Sequence, residues 1–280
     1  MERRWFSAMG TTIELFVDAE GAEASLDAAE GEFHRLEAIL SRFRESSELS
    51  RLNREGSADP SFDLRRVLEL ALGGRASTAG RFDPTVHDAL VAAGYDRSFE
   101  QVPADGSATA GGAACGGDVR LDERVELGPG VRVDLGGIGK GYAAECAAML
   151  LAAAGPCLVN AGGDLALRGG SWPTGVETPE GTLTLELTGG GLATSGIDRR
   201  RWRRGGREIH HVVDPATGEP AETDLLRITV AAGDLVEAEI WATALLVAGA
   251  EEAAAEADRH GLPSVLVTKD DRTILAGGLA

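Results

Sequence analysis

The segment from Val131 to Glu145, VRVDLGGIGKGYAAE, constrains this chain most, because its pattern predicts a strand, a glycine-rich loop and a helix start in direct succession. Backbone N–H groups at the start of a helix carry the positive end of the helix dipole, which suits phosphate oxygens. Glycines let a ligand come close because they have no Cβ. The segment therefore predicts a phosphate-binding loop in a nucleotide-handling enzyme. A tight strand-to-helix turn without a ligand is the alternative.

Neither of the two common nucleotide-binding glycine motifs fits this segment. In a P-loop the lysine is followed by serine or threonine, yet Lys140 is followed by Gly141, and Asp134 stands at the first glycine position. The dinucleotide pattern GxGxxG fails because Tyr142 stands where the last glycine belongs. The loop is therefore predicted to bind phosphate without belonging to either class.

The charge of the chain limits its partners. It carries 45 acidic and 27 basic side chains, a formal net charge of −18. Such a field repels nucleic acid and anionic lipid over most of the surface, so neither is expected as a partner. An anionic substrate needs a locally positive pocket or a bound cation. The three cysteines have no CxxC spacing, which argues against a disulfide framework and a structural zinc site.

Apolar runs in the chain are short. None approaches the roughly 18 residues of a membrane span, so no membrane span is expected. The start of the chain contains two arginines but no apolar segment of the kind found in signal peptides, and it passes directly into strand-like alternation. These features predict a cytoplasmic protein.

Helical and strand patterns are mixed along the chain without strict alternation, which favours an α+β fold. No linker divides the chain, so residues 1–280 are expected to form a single domain. Helices are predicted at Ala24–Arg44, Leu64–Thr78, Lys140–Ala154, Leu235–Ala248 and Ala250–His260, with a short helix after the turn Phe82–Thr85. Strands are predicted at Thr11–Asp18, Val119–Leu127 paired with Val131–Leu135, Cys157–Asn160, Leu183–Leu187, Arg207–Val213, Leu226–Ala231, Pro263–Thr268 and Thr273–Ala276. Residues 101–117 are expected to form an exposed loop.

Two adjacent histidines, His210 and His211, lie in a predicted strand before Asp214-Pro215. Neighbouring strand residues point to opposite faces, so at most one histidine lines a given pocket. His211 is a candidate general base because the histidine pKa lies near neutrality, and a half-exposed histidine without a catalytic role is the alternative. Ser195 lacks a surrounding GxSxG motif, so a hydrolase triad is unsupported.

Glu239 and Thr243 are spaced i and i+4 in a predicted helix rich in alanine and leucine, which places both side chains on one face. A buried carboxylate needs a partner, and a hard cation such as Mg²⁺ would satisfy it. A capped or surface pair is the alternative. The stretch Asn160–Asp164 is typical of a sharp turn at a strand end.

The order of the motifs is more specific than any one of them. Met9-Gly10-Thr11, SRFRESSELSRLN, RFDPTV, VDLGGIGKGYAAE, VNAGGDLALRG, ATSG, HHVVDPATGEP and EAEIWATALLVAG follow one another along the chain. Together they resemble the FAD:protein FMN transferase family, the ApbE-like proteins, over essentially the whole chain. The resemblance implies a single α+β, T-fold-like domain with mixed, mostly antiparallel sheets and packed helices. It also implies an enzyme that binds FAD and Mg²⁺, splits the FAD pyrophosphate, passes FMN to a threonine or serine hydroxyl of an acceptor protein and releases AMP.

The resemblance assigns roles to residues by their motifs. It implies that His211 is the base that deprotonates the acceptor hydroxyl. It implies that magnesium is held by the Gly137 carbonyl and by the side chains of Glu239 and Thr243. The residues that it implies contact FAD are Met9, Phe43, Arg81, Phe82, Asp83, Asp134, Lys140 and Val212.

This chain departs from the family pattern in three respects. Glu239 stands where aspartate is usual, one methylene longer, so magnesium affinity or metal preference is expected to change. The secretion signal or lipid anchor of many relatives is not visible. Asp105–Thr109 resembles the acceptor sequence of such enzymes, which suggests self-flavinylation at Thr109. Two other activities stay open: an Mg²⁺-dependent FAD pyrophosphatase, and a flavin-binding or carrier protein without turnover.

Overall fold

A computed structural model describes residues 1–106 and 112–279. The helices in this part of the chain are α1 (Glu23–Leu40), α2 (Glu48–Glu55), α3 (Phe62–Ser77), α4 (His87–Ala92), α5 (Gly139–Ala152), α6 (Leu235–Ala248) and α7 (Ala250–His260). The strands are β1 (Glu2–Ala8), β2 (Thr11–Val17), β3 (Ser57–Ala58), β4 (Asp105–Gly106), β5 (Val119–Leu121), β6 (Val125–Leu127), β7 (Cys157–Ala161), β8 (Asp164–Thr178), β9 (Gly181–Gly196), β10 (Arg201–Arg204), β11 (Arg207–His210), β12 (Val213–Asp214), β13 (Glu219–Pro220), β14 (Leu225–Ala232), β15 (Ser264–Thr268) and β16 (Thr273–Ala276). None of the helices in these ranges is long and apolar enough to cross a membrane.

The central element is an eight-stranded antiparallel sheet in the order β1-β2-β7-β8-β9-β14-β15-β16. Period-two alternation decides which face of each strand is buried. In β2, for example, Ile13, Leu15 and Val17 are fully buried. The sheet therefore presents a continuous apolar face on which helices can pack.

Helices α1, α5 and α6 form the layer that contributes most of the core beside the sheet. Helix α5 packs against α1 and against β7 and β8, while α6 packs against β9 and β14. A buried carboxylate joins the two helices: Glu145 of α5 accepts a hydrogen bond of 2.6 Å from the backbone N–H of Leu235, the first residue of α6. The middle of α5 consequently lies beside the start of α6, although about 90 residues of chain separate Glu145 from Leu235.

A second, smaller apolar cluster lies outside the sheet. Strands β10 and β11 form a hairpin that buries Trp202 and Ile209 against Tyr95, and the Trp202 indole N–H donates to the Ala93 carbonyl at 2.9 Å. This cluster places the residue that follows β11, His211, next to the cavity described below.

The predicted α+β class with mostly antiparallel strands is confirmed. The long periodic helices were predicted to within a few residues, and α6 and α7 begin and end where they were predicted. Helix α2, strand β1 and the length of the β8–β9 hairpin were not predicted. Parts of the predicted loop at 101–117 are ordered, since β4 pairs in parallel with β10, and Thr109 lies outside the described residues.

The predicted strand at Val131–Leu135 is wrong. The hairpin here is formed by β5 and β6 alone, and residues 131–135 belong to no strand. Their backbone bonds to other groups instead: the Asn53 side chain accepts from the Val133 N–H and donates to the Val133 carbonyl, both at 2.8 Å. The Asp134 N–H donates to the Pro84 carbonyl at 2.7 Å. An asparagine from α2 thus takes the place of a neighbouring strand.

Candidate active site

A cavity of about 1100 Å³ opens where the start of α5, helix α6, the ends of β7 to β9 and the β11–β12 segment meet. Its walls combine apolar, glycine and charged residues. The lining includes every residue that the sequence predicts for the site: Met9, Phe43, Arg81, Phe82, Asp83, Asp134, Gly137, Lys140, His211, Val212, Glu239 and Thr243.

A buried group of charges lies at the start of α5. The Lys140 ammonium contacts Glu239 Oε1 at 2.6 Å and Asp164 Oδ2 at 2.8 Å. Glu239 Oε2 accepts from the Gly141 N–H at 2.9 Å, and Asp164 Oδ1 accepts from the Thr194 N–H at 2.9 Å. Each carboxylate is therefore held at both oxygens. We call Lys140, Asp164 and Glu239 the carboxylate–ammonium cluster.

The electrostatics of the carboxylate–ammonium cluster follow from its burial. Desolvation by itself lowers the pKa of Lys140, but the charges of Asp164 and Glu239 outweigh it and raise that pKa above its usual value. Burial raises the pKa of Glu239, the Lys140 charge opposes the rise, and the Asp164 charge adds to it. We take Lys140 to be charged, because two carboxylates contact it. Two carboxylates and one ammonium leave the cluster with excess negative charge.

The donors around the carboxylate–ammonium cluster fit a hard divalent cation. Asp164 and Glu239 offer carboxylate oxygens, and Thr243 offers a hydroxyl that lies 3.3 Å from the Ser195 hydroxyl. Mg²⁺ prefers such oxygen ligands and takes only a few from the protein. Within residues 1–106 and 112–279, no three His, Cys, Asp or Glu side chains are grouped as a ligand set. A set of carboxylate, hydroxyl and backbone carbonyl does not require such a group.

Position 141 requires a residue without a side chain because it lies against the Glu239 carboxylate. A methyl group on Gly141 would lie 2.5 Å from Glu239 Oε2 and 3.3 Å from the Leu235 carbonyl oxygen. We expect Gly141→Ala to displace the Glu239 carboxylate and to lower the free energy of unfolding by about 1–3 kcal/mol, the usual cost of overpacking. Urea denaturation measures this change. Gly31→Ala is the matched control, because a methyl group on this α1 glycine meets nothing within 4 Å, and it should raise stability by about 0.5–1 kcal/mol. Equal effects of the two substitutions would contradict the assignment.

Asp134 follows the Asn53-bonded segment and points its carboxylate into the turn before α5. Its Oδ1 accepts from the Gly136 N–H at 2.7 Å, and its Oδ2 lies 2.6 Å from Arg42 Nε. Both side chains of this ion pair are less than a tenth exposed. Arg42 Nη2 is buried without a hydrogen-bond partner among the described residues, and Arg42 lines the cavity. The pair therefore supplies a buried donor that has capacity left for a ligand oxygen.

Aromatic rings surround Arg42. Its guanidinium carbon lies 4.2 Å from the ring centroid of Phe43 and 4.6 Å from that of Tyr95, and the two ring centroids are 5.8 Å apart. Phe43 is 43% exposed, which leaves much of its side chain open to contact. A flat conjugated ligand can stack on such a surface.

Three residues predicted to contact FAD are also engaged with the protein. Arg81 pairs with Glu252 and Glu256 of α7, the latter at 2.9 Å. Asp83 accepts from both the backbone N–H and the hydroxyl of Thr85 at 2.7 Å. Met9 has a φ of +51° and donates its N–H to Glu37 at 2.9 Å. Their contact with FAD stays a prediction, and these bonds show that each also shapes the cavity wall.

His211 and Val212 lie between β11 and β12. Val212 is buried, and the Ala221 N–H donates to its carbonyl at 3.0 Å. The His211 ring is surrounded by protein and partly exposed where it lines the cavity. Burial, followed by the nearby Arg200 charge, lowers the His211 pKa to about 3. The imidazole is therefore neutral at physiological pH and keeps a lone pair for a proton.

Sequence reasoning missed part of this site. Asp164 was assigned only to a turn, although it shares Lys140 with Glu239. Arg42, Tyr95 and Arg200 were not singled out at all. Only Asp164 had a readable signal, since an acidic residue directly after a glycine turn at a strand end lies at the sheet edge, where sites form.

Comparisons with known proteins show the family and the fold of the chain. The model of the ApbE family matches residues 9–266. The FAD:protein FMN transferase of Escherichia coli K12 is 29% identical to the chain, over 94% of this chain and 82% of its own length. The ApbE protein of Thermotoga maritima superposes with a TM-score of 0.84 at 24% identity, covering 98% of this chain and 96% of its own. The apo flavinyl transferase ApbE of Pseudomonas stutzeri gives 0.82 at 25% identity, covering 98% and 94%.

Proposed function

This chain belongs to the ApbE family, and on that premise we propose that it is an FAD:protein FMN transferase, an enzyme that moves FMN from FAD to a protein. We propose further that the acceptor group is a threonine or serine hydroxyl, that AMP is released and that the reaction depends on Mg²⁺. Residues 1–280 would act as one domain.

The observation that carries the proposal is that the residues predicted for FAD, for the base and for the metal all line one cavity. Its volume of about 1100 Å³ is at the upper end of pockets that hold drug-sized ligands, roughly 300–1,000 Å³. FAD is larger than such ligands, so a cavity of this size suits it. The Phe43, Tyr95 and Arg42 group offers a stacking surface. The N–H groups of Gly136, Gly139 and Gly141 already have acceptors within the protein, so the donors proposed for phosphate oxygens are Arg42 Nη2 and the Lys140 ammonium.

In the proposed reaction, the acceptor oxygen attacks the phosphorus on the FMN side of the FAD pyrophosphate. A phosphorus–oxygen bond to the acceptor forms, the bond to the bridging oxygen breaks, and AMP leaves with the bonding electrons. His211 receives the proton of the acceptor hydroxyl. The neutral imidazole can do this because it holds a free lone pair, and the negative charge of the bound phosphates would stabilise the imidazolium that forms.

The carboxylate–ammonium cluster would bind the metal and the pyrophosphate next to each other. Glu239, Thr243 and the Gly137 carbonyl are the residues proposed to bind Mg²⁺, and Asp164 adds a carboxylate beside them. When bound, the metal neutralises charge that develops on the phosphate oxygens. Lys140 would turn its ammonium toward the phosphates once its carboxylates have another cation to contact.

The low pKa of His211 predicts an unusual pH dependence. kcat/KM reports the ionisation of the free enzyme, and the proposed base is active when neutral. A pKa of about 3 in place of the ordinary 6.5 keeps His211 neutral throughout pH 5–8. We therefore expect kcat/KM at saturating Mg²⁺ to show no inflection near pH 6.5 and to lose the His211 contribution only as the pH falls toward 3. A kcat/KM that is half-maximal at pH 6.5 and continues to fall below that pH would contradict this environment for the base.

One incubation tests the proposed function against its two alternatives. The protein is mixed with FAD, Mg²⁺ and a threonine-containing acceptor domain, and AMP, free FMN and the acceptor mass are followed together. Equal amounts of AMP and FMN-modified acceptor are expected. Free FMN with an unmodified acceptor would identify a pyrophosphatase. Tight FAD binding without AMP, at any divalent metal, would identify a flavin carrier. The intact mass of the protein in the same sample reports whether Thr109 is flavinylated.

A further inference from the structure

A dense cluster of positively charged side chains lies next to His211 in this otherwise acidic protein. Residues 199–208, RRRWRRGGRE, contain six arginines and one glutamate, in a chain whose net charge is −18. Most of them belong to the hairpin of β10 and β11, which turns at Gly205-Gly206. We call the segment from Arg199 to His210 the arginine hairpin.

Several charges of the arginine hairpin have no counter-ion. Arg199, Arg200, Arg203 and Arg207 form no ion pair with any described residue, whereas Arg201 pairs with Glu208 at 3.3 Å. Arg199, Arg203 and Arg207 are exposed. Their positive charge is therefore available to a partner.

The cross-strand pairs of the hairpin differ in charge. Arg203 is opposite Glu208, a favourable pair, whereas Arg204 and Arg207 are opposite each other, and like charges in this position are destabilising. Folding of the hairpin does not require them, because Trp202 and Ile209 supply its buried face. The exposed Arg203 and Arg207 are therefore not part of the buried face of the hairpin.

The arginine hairpin lies beside the proposed catalytic base. β11 runs directly into His211, so Arg207 lies four residues, or about 13 Å, from the proposed base along an extended strand. Arg199 and Arg200 line the cavity itself, and Arg200 is the charge that most lowers the pKa of His211. A protein that presents a hydroxyl to His211 therefore comes within reach of this hairpin.

We propose that the arginine hairpin is the surface on which the acceptor protein docks, and that the acceptor carries an acidic face some 10–15 Å from the hydroxyl that receives FMN. The inference rests on the proposed function. The net charge of the protein repels an acidic partner and the hairpin attracts it, which orients the partner during the encounter. A carboxylate that pairs with Arg200 also removes the charge that weakens His211 as a base, so docking and proton transfer are coupled.

The test uses two synthetic peptides of 20 residues with one central threonine. One carries four aspartates on each side, starting four residues from the threonine, and the other carries asparagines there. Fluorescence anisotropy at 50 mM NaCl measures binding to the FAD-loaded protein. We expect the acidic peptide to bind at least ten times more tightly, and this difference to shrink several-fold at 300 mM NaCl because exposed charges are screened.

The test variant is Arg203→Glu with Arg207→Glu, which changes exposed residues outside the cavity lining. It should abolish the preference for the acidic peptide while FAD binding stays as in the wild type. Arg51→Glu with Arg54→Glu on α2 is the control, since it makes the same change in net charge away from the cavity, and it should keep most of the preference. Circular dichroism checks that both variants fold.

Three results would overturn the docking proposal: equal binding of the two peptides to the wild type, an equal loss in both double variants, or a 20-nucleotide single-stranded DNA that binds as tightly as the acidic peptide. FMN transfer is measured on the same samples. Modification of both peptides with equal binding would refute the docking surface and leave the proposed function intact. Selective binding of the acidic peptide without FAD cleavage would refute the proposed function and leave the docking surface intact.

Discussion

Replacing His211 by alanine should reduce FMN transfer by about 10²–10⁴-fold while FAD binding stays within a few-fold of the wild type. The reason is that His211 is the residue proposed to take the acceptor proton, and it lines the cavity without a hydrogen-bond partner at Nδ1 among the described residues. The loss corresponds to about 3–5 kcal/mol of transition-state stabilisation. Mass spectrometry of the acceptor at saturating acceptor gives the rate, and flavin fluorescence gives the FAD affinity.

His210→Gln is the matched control for this experiment. It changes the neighbouring histidine, whose ring is directed to the Ala221 carbonyl at 3.2 Å and which does not line the cavity. Its transfer rate at saturating acceptor should remain within a few-fold of the wild type. A His211→Ala variant that transfers FMN at the wild-type rate would remove His211 from the mechanism, whatever its position.

Replacing Glu239 by glutamine should weaken the apparent Mg²⁺ affinity by at least about 10–100-fold, the loss seen when even an outer-shell partner of a metal is changed. Glutamine keeps the shape of the side chain and removes its charge, so the carboxylate–ammonium cluster becomes neutral in sum. The attraction for a divalent cation falls accordingly. A titration of AMP release with Mg²⁺, and the thermal shift caused by Mg²⁺ without FAD, both measure the change.

Two further variants make the Glu239 experiment specific. Glu251→Gln removes the same charge from an exposed position on α7 that contacts no charged partner in the described part of the chain, and it should leave the Mg²⁺ titration unchanged. Glu239→Asp keeps the charge but withdraws it by one methylene from Lys140 and the Gly141 N–H. We expect it to lie between the wild type and Glu239→Gln. A wild-type Mg²⁺ titration for Glu239→Gln would show that the metal binds elsewhere.

The parts of the fold that sequence predicted best are those where a local pattern decides the structure. Helix α6 is a mostly apolar, buried segment between Asp234 and Gly249, α7 has a periodic apolar face and ends before Gly261, and the ends of both helices were predicted as observed. The motif order identified the family, and the residues it indicated line one cavity. Period and motif are both carried by neighbouring residues, so a single sequence suffices to find them.

The remainder depends on contacts between distant parts of the chain. Residues 131–135 have the composition of a strand, but Asn53, about 80 positions earlier, bonds to their backbone. The ion pair of Arg42 with Asp134 and the sharing of Lys140 by Asp164 and Glu239 are equally non-local. No local sequence pattern predicts such pairs. Folding must first bring α5, α6 and the ends of β7 and β8 together.

The ammonium of Lys140 has a consequence for how the protein is made in the cell. Many metal sites consist of like charges that repel one another until the ion arrives, and such proteins fold only when loaded. Here the chain supplies its own positive charge to Asp164 and Glu239. Folding of this region therefore does not need a metal to balance the two carboxylates. Binding of the proposed Mg²⁺ would exchange one cation for another, so the supply of the ion would affect catalysis and leave the stability of the fold largely unchanged.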